Sequence, residues 1–119
     1  MMIFFFLEIQ REIYLICKTE KLSYYIMQPR IKYYKNGNKK LEEWRLNGRY
    51  HKLDGPVYTN RYKNGNKRLE EWKINGILHR VDGPAYIEWY GNGNKKSEEW
   101  YLYDKLQYVL KYKKYSFQI

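Results

Sequence analysis

Short alternating runs of apolar and polar residues fill the chain from 31 to 104, and none has room for a ten-residue helix. In KKLEEWRL, Trp44 and Leu46 fall on one face and Glu43 and Arg45 on the other. That period of two is the signature of a strand. Leu41 stands three residues before Trp44, and a β-bulge at Glu42-Glu43 is expected to turn it inward too. The offset recurs at Leu69 and Trp72, whereas Ser97 takes the leucine position before Trp100. Turn signals separate the runs. Asn-Gly pairs end at Gly37, Gly65 and Gly93, and a second set ends at Gly48 and Gly76. Such pairs point to type I′ hairpin turns, which need positive φ at both central residues. Asp54-Gly55-Pro56 and Asp82-Gly83-Pro84 are a third signal. There Asp accepts backbone bonds, Gly supplies unusual φ and Pro forbids a ladder donor.

These elements recur at a fixed interval. Residues 35–58 and 63–86 are identical at 16 of 24 positions, and a third start at 91–102 then decays. Asn36, Asn64 and Asn92 lie 28 residues apart, as do Trp44, Trp72 and Trp100. A constant period means one supersecondary unit stacked on copies of itself. The expected fold is all-β: an open, twisted antiparallel sheet of stacked hairpins, with units at about 31–58, 59–86 and 87–104. The shared interior is assigned to Trp44, Leu46, Trp72, Ile74, Trp100 and Leu102. Residues 1–30 read as a capping segment or extension, either a short helix or two strands; Met27 offers an alternative start that leaves nearly the bare array. Residues 105–119 lack the NG, His and DGP signals, and their alternation of Tyr, Val and Lys suggests a closing strand.

The recurrent YxNGNKKxEEWxxNGxxHxxDGP resembles the MORN-variant repeat. Tyr33-Tyr34 to Gly37, Glu42-Glu43-Trp44 and Asn47-Gly48 carry the likeness, which covers about residues 31–104. The form with His51–Pro56 and His79–Pro84 is similar to one common in multicopy proteins of large DNA viruses, and related arrays occur in bacterial proteins labelled as antitoxins. The resemblance implies successive β-hairpins stacked into an open sheet. It implies no particular activity, although the broader family is linked to protein scaffolding and anionic lipid membranes. This chain has about two and a half units where about three are usually needed, so a structured N-terminal segment or pairing with another chain is expected.

Composition limits the interior. Tyr contributes 15 residues, aromatics are 19% of the chain, and mean hydropathy is −0.89. A thin layer of aromatic bodies with wet polar tips suits this composition better than a thick aliphatic core. One cysteine, Cys17, excludes an intrachain disulfide and fits a reducing compartment. The apolar N-terminus is interrupted by Glu8, Gln10, Arg11 and Glu12, too early for a spanning helix, and it lacks the flanks of a signal peptide. An intracellular, cytoplasmic protein is expected, in the host cell if viral, neither secreted nor transmembrane.

The net charge of +10 is spread along the chain. The basic and aromatic residues of RIKYYKNGNKK, NRYKNGNKR and VLKYKKYSF interleave. Bases stack on Tyr while cations track phosphates, and the same groups suit anionic lipid headgroups. Lys39, Lys40, Arg45, Lys67, Arg68, Lys73, Lys95 and Lys96 are the candidate surface for a polyanion or a protein partner. The Glu pairs 42/43, 70/71 and 98/99 could suggest catalytic carboxylates, but an active site needs one asymmetric constellation, not three copies. Charge pairing with nearby Lys and Arg is the expected role. His51 and His79 could contribute two metal ligands, but zinc needs four. Each is expected to pack at its turn and donate to a local carbonyl or Asp. No enzyme, cofactor or metal is assigned. The leading expectation is a non-catalytic module for protein interaction or scaffolding, with polyanion binding as the alternative and self-association through a sheet edge in reserve.

Overall fold

Asn36-Gly37 and Asn47-Gly48 look alike in sequence but close different turns. At the first, Tyr34 N–H donates to Asn38 O (2.8 Å) and Gly37 N–H to Tyr34 O (3.0 Å). Of the two central residues only Gly37 has positive φ, 90°. This is a three-residue hairpin loop with a glycine bulge, not the expected two-residue turn. At the second, Asn47 and Gly48 both have positive φ, 51° and 77°, as type I′ requires.

The computed structural model describes residues 28–115. The expected N-terminal helix or capping strands lie outside the described residues. Eleven strands follow: β1 (Arg30–Tyr33), β2 (Lys39–Glu43), β3 (Arg45–Leu46), β4 (Arg49–Tyr50), β5 (Tyr58–Arg61), β6 (Lys67–Glu71), β7 (Lys73–Ile74), β8 (Ile77–Leu78), β9 (Tyr86–Trp89), β10 (Lys95–Leu102) and β11 (Lys105–Lys111). Seven of them form one open antiparallel sheet in the order β1-β2-β5-β6-β9-β10-β11. The pairs β3–β4 and β7–β8 are small hairpins that leave it. Each complete unit thus runs down one strand, back along the next, out through a small hairpin, and into the sheet again through Asp-Gly-Pro.

The bulge lies earlier than expected. Lys32 opposes Leu41 but Tyr33 opposes Lys39, so the extra residue is Lys40 and not the Glu42-Glu43 pair. Arg68 and Lys96 take the same place in the later units. Glu42 and Glu43 therefore keep regular alternation and face opposite ways.

Directly paired residues share a face. One row across the sheet reads Ile31, Glu42, Thr59, Glu70, Ile87, Glu98, Leu110; the next reads Arg30, Glu43, Tyr58, Glu71, Tyr86, Glu99, Val109. In these rows the glutamates of β2, β6 and β10 are separated by uncharged residues of β5 and β9, so like carboxylates stand two strand spacings apart, about 9–10 Å. That spacing relieves the repulsion that directly stacked glutamates would suffer.

The interior is smaller than the expected indole-lined one. Among the described residues the buried apolar side chains are Val57, Ala85 and Ile87. Trp44, Trp72 and Trp100 are half-buried, as are Leu46 and Ile74. Leu102, assigned to the core from sequence, is 38% exposed, because β11 is the last strand and nothing described lies beyond it. Val57 and Ala85 sit where the chain re-enters the sheet. Val57 O accepts from Trp44 N–H (2.7 Å) and Val57 N–H donates to Glu71 O (2.8 Å); Ala85 repeats both bonds.

The third unit is shorter. Trp44 to Val57 and Trp72 to Ala85 each span 13 residues, but Trp100 pairs with Tyr108 after only eight. Without the Asp-Gly-Pro excursion, β10 continues through Trp100 with one bulge at Gln107 opposite it, and Tyr103-Asp104 forms the turn with positive φ at both residues, 48° and 67°. The decayed repeat is thus an in-sheet hairpin closing the array.

Candidate interaction surface

The turn residues hold one repeat to the next. Tyr34 OH donates to Arg61 O (2.7 Å), Tyr62 OH to Trp89 O (2.9 Å) and Tyr90 OH to Tyr112 O (3.1 Å). Asn36 and Asn38 both donate their side-chain amides to Lys63 O, at 2.9 and 2.8 Å. Asn64 and Asn66 grip Gly91 O likewise, and Asn92 and Asn94 grip Lys114 O. Within each turn the first Asn also accepts from the backbone of the second, as Asn38 N–H to Asn36 Oδ1 at 3.0 Å. The motif Asn-Gly-Asn is therefore a clamp as well as a turn.

The histidines form a second clamp. His51 Nδ1 accepts from Asn75 N–H (3.1 Å) and His79 Nδ1 from Tyr103 N–H (3.0 Å). This corrects the expected donation to a carbonyl or to Asp: each ring is an acceptor for the next unit's turn. Accepting at Nδ1 requires a lone pair there, so the neutral ring carries its proton on Nε2. Burial holds both imidazoles below the ordinary histidine range. His51 Nε2 is buried without a partner among the described residues. No group of three His, Cys, Asp or Glu side chains placed to hold a metal occurs among the described residues.

Asp82-Gly83-Pro84 holds the cation that follows His79. The Arg80 guanidinium carbon stands over Trp72, 3.8 Å from the ring centre, and Lys52 Nζ lies 4.1 Å from that of Trp44. Arg80 Nε donates to Asp82 Oδ1 and Nη1 to Pro84 O, both at 3.1 Å. A Cβ on Gly83 would stand 2.8 Å from Arg80 Cζ. Neither Gly55 nor Gly83 has positive φ, contrary to expectation; at Gly83 glycine supplies room for the Arg80 guanidinium. Sequence reasoning missed Lys52 and Arg80; the signal was a basic residue directly after each His, with Gly three further on.

The eight cations named from sequence divide. Six sit beside carboxylates. Lys39 meets Glu42 (3.3 Å), Lys95 meets Glu98 (3.2 Å) and Lys67 meets Glu70, all three residues apart. Arg45 meets Glu43 (3.7 Å), Lys73 meets Glu71 (2.7 Å) and Lys96 meets Glu88 (3.6 Å). Lys40 and Arg68 instead stand over Tyr34 and Tyr62, each 5.7 Å from the ring centre, and Lys96 also stands over Tyr90. The glutamates further serve tyrosines: Tyr50 OH donates to Glu43 (2.9 Å) and Tyr86 OH to Glu88 (2.8 Å). Burial, reinforced by these carboxylates, raises both phenols above their ordinary range.

The surface is not uniform along the array. Of the ten large exposed apolar or aromatic side chains among the described residues, seven belong to the last hairpin and its tail: Leu102, Tyr103, Leu106, Tyr108, Leu110, Tyr112 and Tyr115. The chain matches no family model, no curated protein and no solved structure. No helix among the described residues is long and apolar enough to cross a membrane.

Proposed function

We propose that the chain is a non-catalytic repeat module that holds a protein partner. The observation carrying this reading is the concentration of exposed apolar side chains on the C-terminal hairpin, on a molecule whose nominated cations are mostly tied to its own carboxylates. Exposed patches of this kind mark interaction sites, and paired cations contribute little to an external polyanion. The resemblance to MORN-variant repeats supports a scaffolding role, and the lone Cys17 supports an intracellular, cytoplasmic setting. Affinity capture from cell lysate at rising salt tests it. A protein recovered at high salt and lost on Leu106→Ser with Leu110→Ser supports the reading; recovery of nucleic acid or lipid alone overturns it.

A second reading, binding of single-stranded nucleic acid or anionic lipid headgroups, is favoured by one feature. Lys40, Arg68 and Lys96 repeat over Tyr34, Tyr62 and Tyr90. This reading expects oligonucleotide or acidic-vesicle affinity that falls steeply with salt and weakens when the three cations are changed to Glu. Absence of binding at low salt removes it.

A further inference from the structure

The repeat prescribes what should flank each odd strand of the sheet. β5 lies between β2 and β6, so Tyr58 faces Glu43 on one side and Glu71 on the other, and Thr59 faces Glu42 and Glu70. β9 lies between β6 and β10, and its Tyr86 and Ile87 are bracketed by glutamates in the same way. β11 takes the same place after β10. Val109 faces Glu99, Leu110 faces Glu98, and Lys111 faces Ser97. The carbonyls of Tyr112 and Lys114 receive the Tyr90 hydroxyl and the Asn92 and Asn94 amides, as those of Arg61 and Lys63 receive their counterparts. On its outer side no described strand pairs with β11.

We infer that the outer edge of β11 accepts, in antiparallel pairing, an extended segment of a partner protein with an apolar residue, two adjacent carboxylates and an aromatic residue in sequence. This rests on the protein-partner reading and names the partner's chemistry. Charge points the same way. Residues 105–115 contain Lys105, Lys111, Lys113 and Lys114 and no acid. A second β11 placed antiparallel would set lysines against lysines, whereas a Glu-Glu strand offsets them. The backbone is available: Tyr112 N–H turns inward to Lys96 O (2.9 Å), so in a regular strand the N–H of Lys111 turns outward. Strand addition to such an edge draws affinity from main-chain bonds and specificity from alternate side chains.

The test uses the full chain and a fluorescent peptide, Ser-Leu-Glu-Glu-Trp-Thr, in a polarisation titration. Binding is expected to fall about tenfold or more when the peptide's two Glu become Gln, and when Lys111→Glu places like charges together. Lys111→Pro removes the outward donor without touching an inner bond and should abolish binding; far-ultraviolet circular dichroism checks that each variant stays folded. No binding, equal binding by the Gln-Gln peptide, or full binding by Lys111→Pro overturns the inference, as does an oligothymidylate probe that displaces the peptide with higher affinity. A lysate partner that survives Lys111→Pro sinks strand addition while leaving the broader module reading intact.

Discussion

Replacing Gly83 with Ala puts a methyl group where the Arg80 guanidinium lies. The new Cβ would stand 2.8 Å from Cζ and 3.0 Å from Nε, so Arg80 must leave. Leaving forfeits its stack on Trp72, worth about 0.5–2 kcal/mol, and its bond to Pro84 O, about 1 kcal/mol. The ion pair with Asp82 adds almost nothing, because that carboxylate is 84% exposed. Against this, Gly to Ala restricts the unfolded chain and returns about 0.4–1 kcal/mol. The net expectation is a loss of about 1–2 kcal/mol. Gly55→Ala is the matched control. There the nearest atom is Lys52 Nζ at 3.3 Å, the free end of a flexible side chain that need yield only slightly. It should be neutral to within about 0.5 kcal/mol. Urea unfolding followed by tryptophan fluorescence measures both. The decisive comparison repeats Gly83→Ala in an Arg80→Ala background, where the cost should give way to the gain of about 0.4–1 kcal/mol, a coupling of about 1.5–3 kcal/mol. Equal losses at Gly55 and Gly83, or an undiminished loss without Arg80, would show that these glycines serve the backbone and not the cation.

The histidine clamps make stability depend on pH. Both rings have lowered pKa in the fold, so the unfolded chain binds protons first as pH falls. Stability should be full above the ordinary histidine pKa of about 6.5 and decline below it, and the paired change His51→Asn with His79→Asn should flatten that part of a urea-midpoint profile measured from pH 7.5 to 5.5. Asn64→Ala removes both its bond to Gly91 O and the turn bond to Asn66 N–H, for about 2 kcal/mol, while Asn66→Ala removes a single bond to the same carbonyl, for about 1 kcal/mol; a ratio near one in thermal or urea melts refutes the clamp. Tyr62→Phe deletes the hydroxyl that reaches Trp89 O at 2.9 Å and should cost about 0.5–1.5 kcal/mol with no change in circular dichroism.

The period of 28 and the turn residues were enough to read the architecture, because hairpin signals act locally and a constant spacing forces the units to stack. What they could not supply was contact between units. Asn-Gly-Asn announces a turn, yet the second Asn is there for a carbonyl 25 residues further on. His51 announces a local turn partner, yet its acceptor lone pair serves Asn75. The Trp-Leu alternation points to the core, but the fully buried apolar side chains among the described residues are Val57 and Ala85, which sit in an irregular link where no apolar–polar alternation marks them. The bulge falls two residues before its expected place: Leu41 and Glu43 share a face through regular alternation, and the extra residue is Lys40. Of the candidate surface, the cations were legible as charges, but not as partners of particular carboxylates.

The end of the array shows which of these parts belong together. In the two complete units the residue beside the tryptophan in the ladder is small, Val57 or Ala85, and the cation after the histidine, Lys52 or Arg80, stands over the indole. In the last unit the excursion is five residues shorter and has no counterpart of Lys52 or Arg80 among the described residues. The ladder position there is Tyr108, whose ring stacks on Trp100 at 4.2 Å and 11°. One large ring does the work of a small residue plus a cation. The exchange must be made as a whole: a tyrosine at 57 or 85 would compete with Lys52 or Arg80 for the same indole face, and a small residue at 108 would leave Trp100 bare. The same shortening carries the chain directly from β10 into β11 and sets the carbonyls of Tyr112 and Lys114 where the Tyr90 and Asn92 clamps await them. The terminal hairpin thus meets every inward demand of the repeat, and the demand it leaves open faces outward along β11.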